Sequence, residues 1–209
     1  TPPPAALCAT PKAQLTWSDD GAPIAQDYDD IYFSVDGGLA ETKAVFLRGC
    51  GLPETWHDQM GDFFTIGELG FGSGMNFLAV WDLWMRHQPN GKGLHFISFE
   101  AFPLSLDQLT KALAHFPDLT PLSAQLIAQW PGRVKGTHRL NFGNVSLTLC
   151  HTDVLAGLAG LKNTKINAWF LDGFSPAKNP DMWSPEVFTH LARLSAPQAK
   201  LATFTVAGM

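Results

Sequence analysis

Apolar positions along this chain follow two rhythms, and the switches between them outline a fold. Phe63, Phe64 and Ile66 form an apolar run that meets Gly67-Glu68-Leu69-Gly70, a strand entering a turn. Gly70, Gly72 and Gly74 then fall on alternate positions. Phe77, Val80, Trp81 and Trp84 follow at i, i+3, i+4 and i+7, one face of a helix. Gly93–Glu100 predicts a short buried strand. Ser105 and Gln108 make a capping box that opens a helix, stapled by Leu104 and Leu109 and ending before Pro117. A further helix opens at Thr120-Pro121, with Thr120 as its cap, and stops at Pro131-Gly132. Val145–Cys150 alternates apolar and polar residues, and Arg139–Phe142 pairs with it through Gly143-Asn144. Val154–Leu161 predicts an Ala/Leu helix, Ile166–Leu171 a fourth strand and Leu201–Val206 a fifth. Strands alternating with helices imply an α/β fold on a mostly parallel, doubly wound sheet.

The segment before this core reads differently. Thr1–Pro11 is rich in Pro and Ala and is expected to be a flexible tail. Gln14–Ile24 predicts a hairpin with Asp19-Asp20-Gly21 at its turn. Within Gln26–Val35, Asp27, Asp29 and Asp30 surround Tyr28, Tyr32 and Phe33. Asp36-Gly37-Gly38 turns the chain into a helical stretch carrying Leu39, Val45, Phe46 and Leu47. The aromatic and acidic segment is open to two readings, a lid over a ligand or an edge elaboration whose aromatics belong to the core. The expected organisation is a tail over 1–11, an N-terminal extension packing on the site over 12–62, and a Rossmann-like core over 63–209.

Composition narrows the picture without changing it. The chain has 209 residues, 45% of them hydrophobic, enough for one domain with a sizeable core. A net charge of −5 gives no general basic footprint for nucleic acid. Cys8, Cys50 and Cys150 are odd in number and form no C-x-x-C pair, so neither a disulfide framework nor a zinc site is expected, and no metal. No apolar run reaches the roughly 18 residues of a membrane helix, so no membrane partner is expected. Thr1–Thr10 lacks the basic start of a signal peptide, and a cytoplasmic location follows.

The candidate chemistry sits where the first strand meets its helix. Glycines let the backbone take positive φ and let a ligand lie against bare main chain. The dinucleotide fingerprint G-x-G-x-x-G fails, because Met75 stands where its last glycine should fall. Glu68 before the turn suits a cationic, hydroxyl-rich ligand better than a pyrophosphate. Glu68-Leu69-Gly70-Phe71-Gly72-Ser73-Gly74 matches E/D-x-G-x-G-x-G, the usual entry to S-adenosylmethionine methyltransferases. Glu100, ending the second strand, is placed to accept hydrogen bonds from ribose hydroxyls. Asp153 takes either an adenine amino group or the N-cap of the next helix. Asp172 emerges after the fourth strand, on the side of the glycine turn. A carboxylate there can orient an amine nucleophile or take its proton. Phe174 is placed to stack on a base and Lys178 to meet a phosphate.

Five stretches resemble one known family: Asp29–Ser34, Gly70–Leu78, Leu94–Glu100, Ala168–Trp183 and Leu201–Thr205. The most specific is D-G-F-S-P-A-K-N-P-D-M-W. In order and sequence they resemble the methyltransferase domain of MnmC, a bacterial family that modifies the wobble uridine of certain tRNAs. The resemblance implies a class I methyltransferase fold and methyl transfer from S-adenosylmethionine to the aminomethyl nitrogen of 5-aminomethyl-2-thiouridine, with tRNA as partner. It implies that Glu68, Gly70, Gly72, Gly74 and Asn76 hold the methionine moiety, Glu100 the ribose and Asp153 the adenine. Asp172 would face the amine at the cofactor and Phe174 the base, while Tyr32, Phe33 and Ser34 close over the cofactor. The family continues past the fifth strand with a helix, two more strands and a basic segment, so this chain reads as truncated at Met209. Many members carry a flavin-dependent oxidase downstream, so FAD is expected only with such a fused domain or a separate partner. Two other functions stay in view: a nucleotide-dependent oxidoreductase on a related sheet, and a non-catalytic methyltransferase-like binding module.

Overall fold

The structure, a computed structural model, describes residues 8–58, 61–87, 91–174 and 176–204. Three short strands open it: β1 (Leu15–Trp17), β2 (Pro23–Ala25) and β3 (Asp30–Ile31). They form a small antiparallel sheet of their own in the order β1-β2-β3. Helix α1 (Gly38–Thr42) widens directly into a π-helical turn over Lys43–Leu47, and α2 (Thr55–Asp58) completes the extension. Of the expected tail, residues 1–7 lie outside the described residues. Cys8–Thr10 run against the segment Arg133–Lys135, with Thr10 N donating to the Arg133 carbonyl and Lys135 N to the Cys8 carbonyl.

The core begins with β4 (Phe63–Leu69), followed by α3 (Met75–His87) and β5 (Gly93–Phe99). Then come α4 (Leu106–Leu113), α5 (Thr120–Ala128), β6 (Gly136–Phe142) and β7 (Val145–His151). The series closes with α6 (Val154–Gly160), β8 (Ile166–Leu171), α7 (Pro185–Leu194) and β9 (Ser195–Thr203). Strands order as β6-β7-β5-β4-β8-β9. All neighbours are parallel except the β6–β7 hairpin. Parallel strands need crossovers, and the helices between them supply these and cover both faces. One apolar layer joins Phe77, Trp81 and Trp84 of α3 to Phe64, Phe96 and Phe142. The other joins Ile97, Phe99 and Trp169 to Leu158 of α6 and Val187 and Leu191 of α7. From β4 the chain crosses to β5 on one side, and β8 later lies on the other side of β4. The carboxyl ends of β4, β5 and β8 therefore bound the crevice of a switch point.

The capping box of Ser105 and Gln108 is formed as expected, with both reciprocal bonds present. Two expected boundaries are corrected. Thr120 lies inside α5, because a 3-10 turn over Pro117–Leu119 runs into it and Leu119 takes the cap position. The last strand starts at Ser195, six residues before the expected Leu201, and Thr205 and Val206 lie outside the described residues. The strand meets β8 at Ser195, opposite Ile166, and again from Lys200, opposite Ala168, with an irregular bulge between, so its first half carries no strand period to read. Leu201 is 48% exposed there, as an edge strand allows.

Candidate functional site

Three acidic residues follow strand ends at this crevice. Glu100 is the first residue past β5, Asp172 the first past β8, and Asp153 the second past β7. With the glycine turn and the 27–34 segment they line a cavity of about 920 Å³, the size of a cofactor site. Asp27, Asp30 and Asp181 add further acids to its wall, and among the described residues no lysine or arginine lines it.

The glycine turn meets this cavity as bare backbone. Gly70 has φ +90, and a Cβ there would sit 3.0 Å from the Asp172 carbonyl oxygen. Gly72 has φ +54, and a Cβ there would sit 3.0 Å from the Tyr32 ring. Side chains at either position would be strained and would push on the carboxylate strand end or on the overlying segment. Glu100 is fixed by the same turn: its Oε2 accepts from Gly72 N (3.0 Å) and its Oε1 from Phe102 N (2.8 Å). Burial raises its pKa against these hydrogen bonds. Backbone groups of Phe71 and Ala101 also favour its charged form.

Beneath the turn lies a polar network that the sequence did not announce. Glu68 is fully buried, accepting from Ser98 Oγ at its Oε2 (2.7 Å) and from Asn76 Nδ2 at its Oε1 (3.0 Å). Asn76 Nδ2 also donates to Asp172 Oδ2 (2.6 Å), and Asn76 Oδ1 accepts from Thr42 Oγ1 (2.9 Å). Burial holds the Glu68 carboxyl well above the usual range; the hydrogen bond from Ser98 opposes this and the nearby Asp172 adds to it. Asp172 is exposed at the cavity wall, with protein packed around its strand end. Desolvation pushes its pKa up to about 7, opposed by the bond from Asn76.

Several expected roles change with these positions. Glu68 does not line the cavity, and its carboxyl oxygens are bonded to Ser98 and Asn76 beneath it. It lies within β4, whose side chains enter the layers above and below the sheet rather than the crevice past its end. Asn76 reaches the cavity wall, but both of its N–H donors are committed to the two carboxylates. Gly74 stays off the wall, against the Phe71 ring, with φ +75. Lys178 faces no open anion site: its ammonium donates to the Asp29 carbonyl and lies 3.8 Å from Asp30 Oδ2.

Tyr32, Phe33 and Ser34 do line the cavity. Phe33 packs edge-on to Phe116 (4.9 Å), and Ser34 Oγ donates to the Asp36 carbonyl (3.1 Å). Asp153 combines its two expected places. Its Oδ1 accepts from Ala156 N (2.8 Å) as the N-cap of α6, and the residue sits at the cavity wall. Phe174 is stacked on Tyr28 at 4.4 Å and edge-on to Tyr32 at 5.8 Å. The 27–34 segment and the loop after β8 thus meet over the cavity.

The composition of that loop follows from its packing. A Cβ on Gly173 would fall 2.0 Å from Met182 Sδ, so a side chain there would have to displace the Met182 thioether. Trp183 Nε1 donates to the Phe174 carbonyl (3.0 Å), and Ser184 caps α7 through Val187 N (3.4 Å). Ser175 lies outside the described residues. Residues missed from sequence are Ser98, Thr42, Tyr28 and Met182. A polar Ser98 inside the apolar Gly93–Phe99 strand was the one available signal. Among the described residues no group of three His, Cys, Asp or Glu is arranged to hold a metal ion, and no helix is long and apolar enough to cross a membrane.

Comparison with known proteins places this geometry. Residues 117–209 match a family described as S-adenosyl-L-methionine-dependent methyltransferase. The chain is 49% identical over 204 residues to the tRNA 5-methylaminomethyl-2-thiouridine biosynthesis bifunctional protein MnmC of Caulobacter vibrioides, covering 97% of this chain and 34% of that protein. It is 50% identical over 199 residues to the protein of the same name from Pseudomonas paraeruginosa, covering 94% of this chain and 30% of the relative. The chain thus spans about a third of the length of the curated relatives it matches. The crystal structure of MNMC2 from Aquifex aeolicus superposes with a TM-score of 0.70 at 21% identity, covering 95% of this chain and 62% of that one. That likeness supports the fold: α/β, with a mostly parallel sheet.

Proposed function

We propose that the chain is an S-adenosyl-L-methionine-dependent methyltransferase that methylates the aminomethyl nitrogen of 5-aminomethyl-2-thiouridine at a tRNA wobble position. The observation that carries this reading is the cavity wall: bare glycine backbone, carboxylates at three strand ends, and no cation among the described residues. That wall suits a nucleoside with an ammonium and a sulfonium, followed by an amine. It disfavours the pyrophosphate of a dinucleotide, which seeks N–H groups and cations. The oxidoreductase alternative is weakened on the same ground.

S-adenosylmethionine, when bound, supplies an electrophilic methyl group on a positively charged sulfur. Glu100 is the residue to hold ribose hydroxyls, Asp153 to take an adenine amino group, and Gly70 and Gly72 to give the ligand room against main chain. Tyr32, Phe33 and Ser34 cover it. Asp172 accepts a hydrogen bond from the incoming amine and so aims its lone pair. As the carboxylate it also takes the proton released when the nitrogen is alkylated. A group with pKa about 7 is suited to both tasks near neutrality. Positioning supplies most of the rate in a direct displacement of this kind, which calls for no Lewis acid. Phe174, now stacked on Tyr28, offers a face to the uracil ring once the two rings part.

Residues 12–62 act in this reading as the extension that carries the lid, on a core that begins at residue 63. In this reading an FAD-dependent oxidase, fused or separate, supplies the amine. The reaction takes place where tRNA is processed, in the cytoplasm.

Calorimetric titration with S-adenosylmethionine, with NAD as the control, tests the reading. Saturable binding of the first alone is the expected result. Binding of NAD with no response to S-adenosylmethionine would replace the methyltransferase reading with the oxidoreductase one.

A further inference from the structure

The two carboxylates that share Asn76 raise a question of orientation. Glu68 Oε1 and Asp172 Oδ2 both take their hydrogen bonds from a single nitrogen, at 3.0 and 2.6 Å. An asparagine amide rotated by half a turn would present its oxygen to both of them instead. Oxygen against two carboxyl groups is repulsive whenever either is ionised. What lies on the far side of the amide therefore decides which way it sits. There the structure places a hydroxyl, Thr42 Oγ1, 2.9 Å from Asn76 Oδ1.

Thr42 reaches this point through local backbone geometry. A Cβ on Gly38 at the start of α1 would lie 3.3 Å from Phe33 Cβ and 3.6 Å from Met75 Cε. The absence of a side chain at Gly38 lets α1 approach the start of α3 closely. Thr42 is the last residue of α1, and the helix widens into its π-turn at the next residue. Such turns tend to mark places where a helix has been shaped around a site. Thr42 is 3% exposed and Asn76 4% exposed, so water has little access to replace a lost bond.

We propose that Thr42 is a positioning residue for Asp172, acting through Asn76. Its hydroxyl fixes the amide so that both N–H groups point at the carboxylates. One N–H then holds Asp172 at the cavity wall in the orientation needed to meet an amine. Thr42 lies far from the glycine turn in sequence and none of the roles above requires it. The activity arm of the inference rests on the methyl-transfer reading; the titration arm does not.

Among the described residues, the charged and titratable groups that line the cavity with Asp172 are acids and phenols. Glu68 faces it from β4, and Glu100 lies past β5. Asp27, Asp30, Glu41, Asp153, Asp181 and Glu186 share the cavity wall, with Tyr28 and Tyr32 above. Lys178 is turned to Asp29 and Asp30 of the overlying segment. Loss of the Asn76 bond leaves Asp172 with acidic neighbours and no compensating donor from that side, so its titration moves up.

The test compares Thr42→Val, which keeps the shape and removes the hydroxyl, with Thr42→Ser, which keeps the hydroxyl. Three quantities are read: S-adenosylmethionine affinity, the pH profile of methyl transfer, and the Asp172 carboxyl titration. The last is followed by carbon-13 resonance in the protein alone and assigned with Asp172→Asn. For Thr42→Val the expected results are affinity within about threefold of the parent and a turnover lower by about tenfold. Its Asp172 titration is expected to move up by roughly half to one pH unit, the equivalent of one hydrogen bond. Thr42→Ser is expected to restore turnover and titration together.

A Thr42→Val protein with parental titration and turnover overturns the proposal. So does a Thr42→Ser protein as impaired as Thr42→Val, because packing and not the hydroxyl would then be at work. If the parent itself transfers no methyl group to the aminomethyl tRNA, the functional reading fails. The carboxyl titration still decides whether Thr42 positions Asp172.

Discussion

The floor and the rim of the cavity are held together by different forces. The floor joins Glu68, Asn76, Ser98 and Thr42 beneath the glycine turn, through short hydrogen bonds between groups with almost no exposure. Every donor there has a specified acceptor, and a buried polar group without one costs about 1–3 kcal/mol. The rim joins the 27–34 segment to the loop after β8 by a stacked Tyr28–Phe174 pair and one lysine. Those contacts are part-exposed and individually weak. A floor of this kind fixes where a reacting atom sits, and a rim of this kind can part to admit a bulky base. Substitutions in the first should change turnover, and substitutions in the second should change what binds.

The largest expected effect falls where floor and cavity meet. Asp172→Ala should lower methyl transfer by roughly 10²–10⁴, the usual worth of a positioned acid or base, with S-adenosylmethionine affinity nearly unchanged. Single-turnover assays alongside calorimetry separate the two. The parent should also gain activity as pH rises through about 7, because the carboxylate is the competent form. A profile flat from pH 6 to 8 would remove Asp172 as the proton acceptor.

Next is Glu100→Ala, which removes an acceptor held by two backbone N–H groups. It should weaken S-adenosylmethionine binding by about 10- to 100-fold, in line with hydrogen bonds to a charged group. Parental affinity would take Glu100 out of the ligand site.

A smaller effect tests the buried floor by itself. The folded-state pKa of Glu68 is raised, so between its unfolded value and its folded value the native protein holds a proton that the unfolded chain releases. Stability should therefore fall as pH rises from about 4.5, and Glu68→Gln should flatten that slope. Thermal unfolding of both proteins from pH 5 to pH 8 is the check. Equal slopes would mean that Glu68 is not the titrating group.

The smallest effect belongs to the rim. Lys178→Met removes the ammonium that ties the lid segment to the loop after β8. It should alter the KM for tRNA by about two- to fivefold and leave S-adenosylmethionine affinity alone, as expected of a part-exposed ion pair. A large loss of turnover would give Lys178 a role in the floor instead.

The strands and the glycine turn were legible because period and punctuation carry them. Met75 in the last glycine position already argued against a dinucleotide. The place of Glu68 beneath the cavity rather than on its wall has a geometric cause. An acid one residue past a strand end, such as Glu100 or Asp172, reaches into the crevice. An acid still inside the strand, such as Glu68, points into a layer, where Ser98 across the register and Asn76 of α3 become its partners. Sequence adjacency to the glycines concealed that difference. The reach of Thr42 to Asn76, and of Lys178 to Asp29, joins residues far apart in the chain, and no local pattern encodes such contacts. The first half of β9 was missed because it bulges out of register with β8, with Pro197 and a positive φ at Gln198, and so carries no strand period.

The central claim is that Asp172 sits at the reacting amine of a methyltransferase acting on tRNA. The most direct test is single-turnover methyl transfer from saturating S-adenosylmethionine to tRNA carrying 5-aminomethyl-2-thiouridine, read by mass spectrometry of the released nucleoside. The parent and Asp172→Asn are run side by side. The account predicts one methyl group added to the side-chain nitrogen by the parent. It predicts at least a roughly 10²-fold loss in the variant. A parent that binds S-adenosylmethionine but leaves the nucleoside unchanged, or a variant that matches the parent, would contradict it.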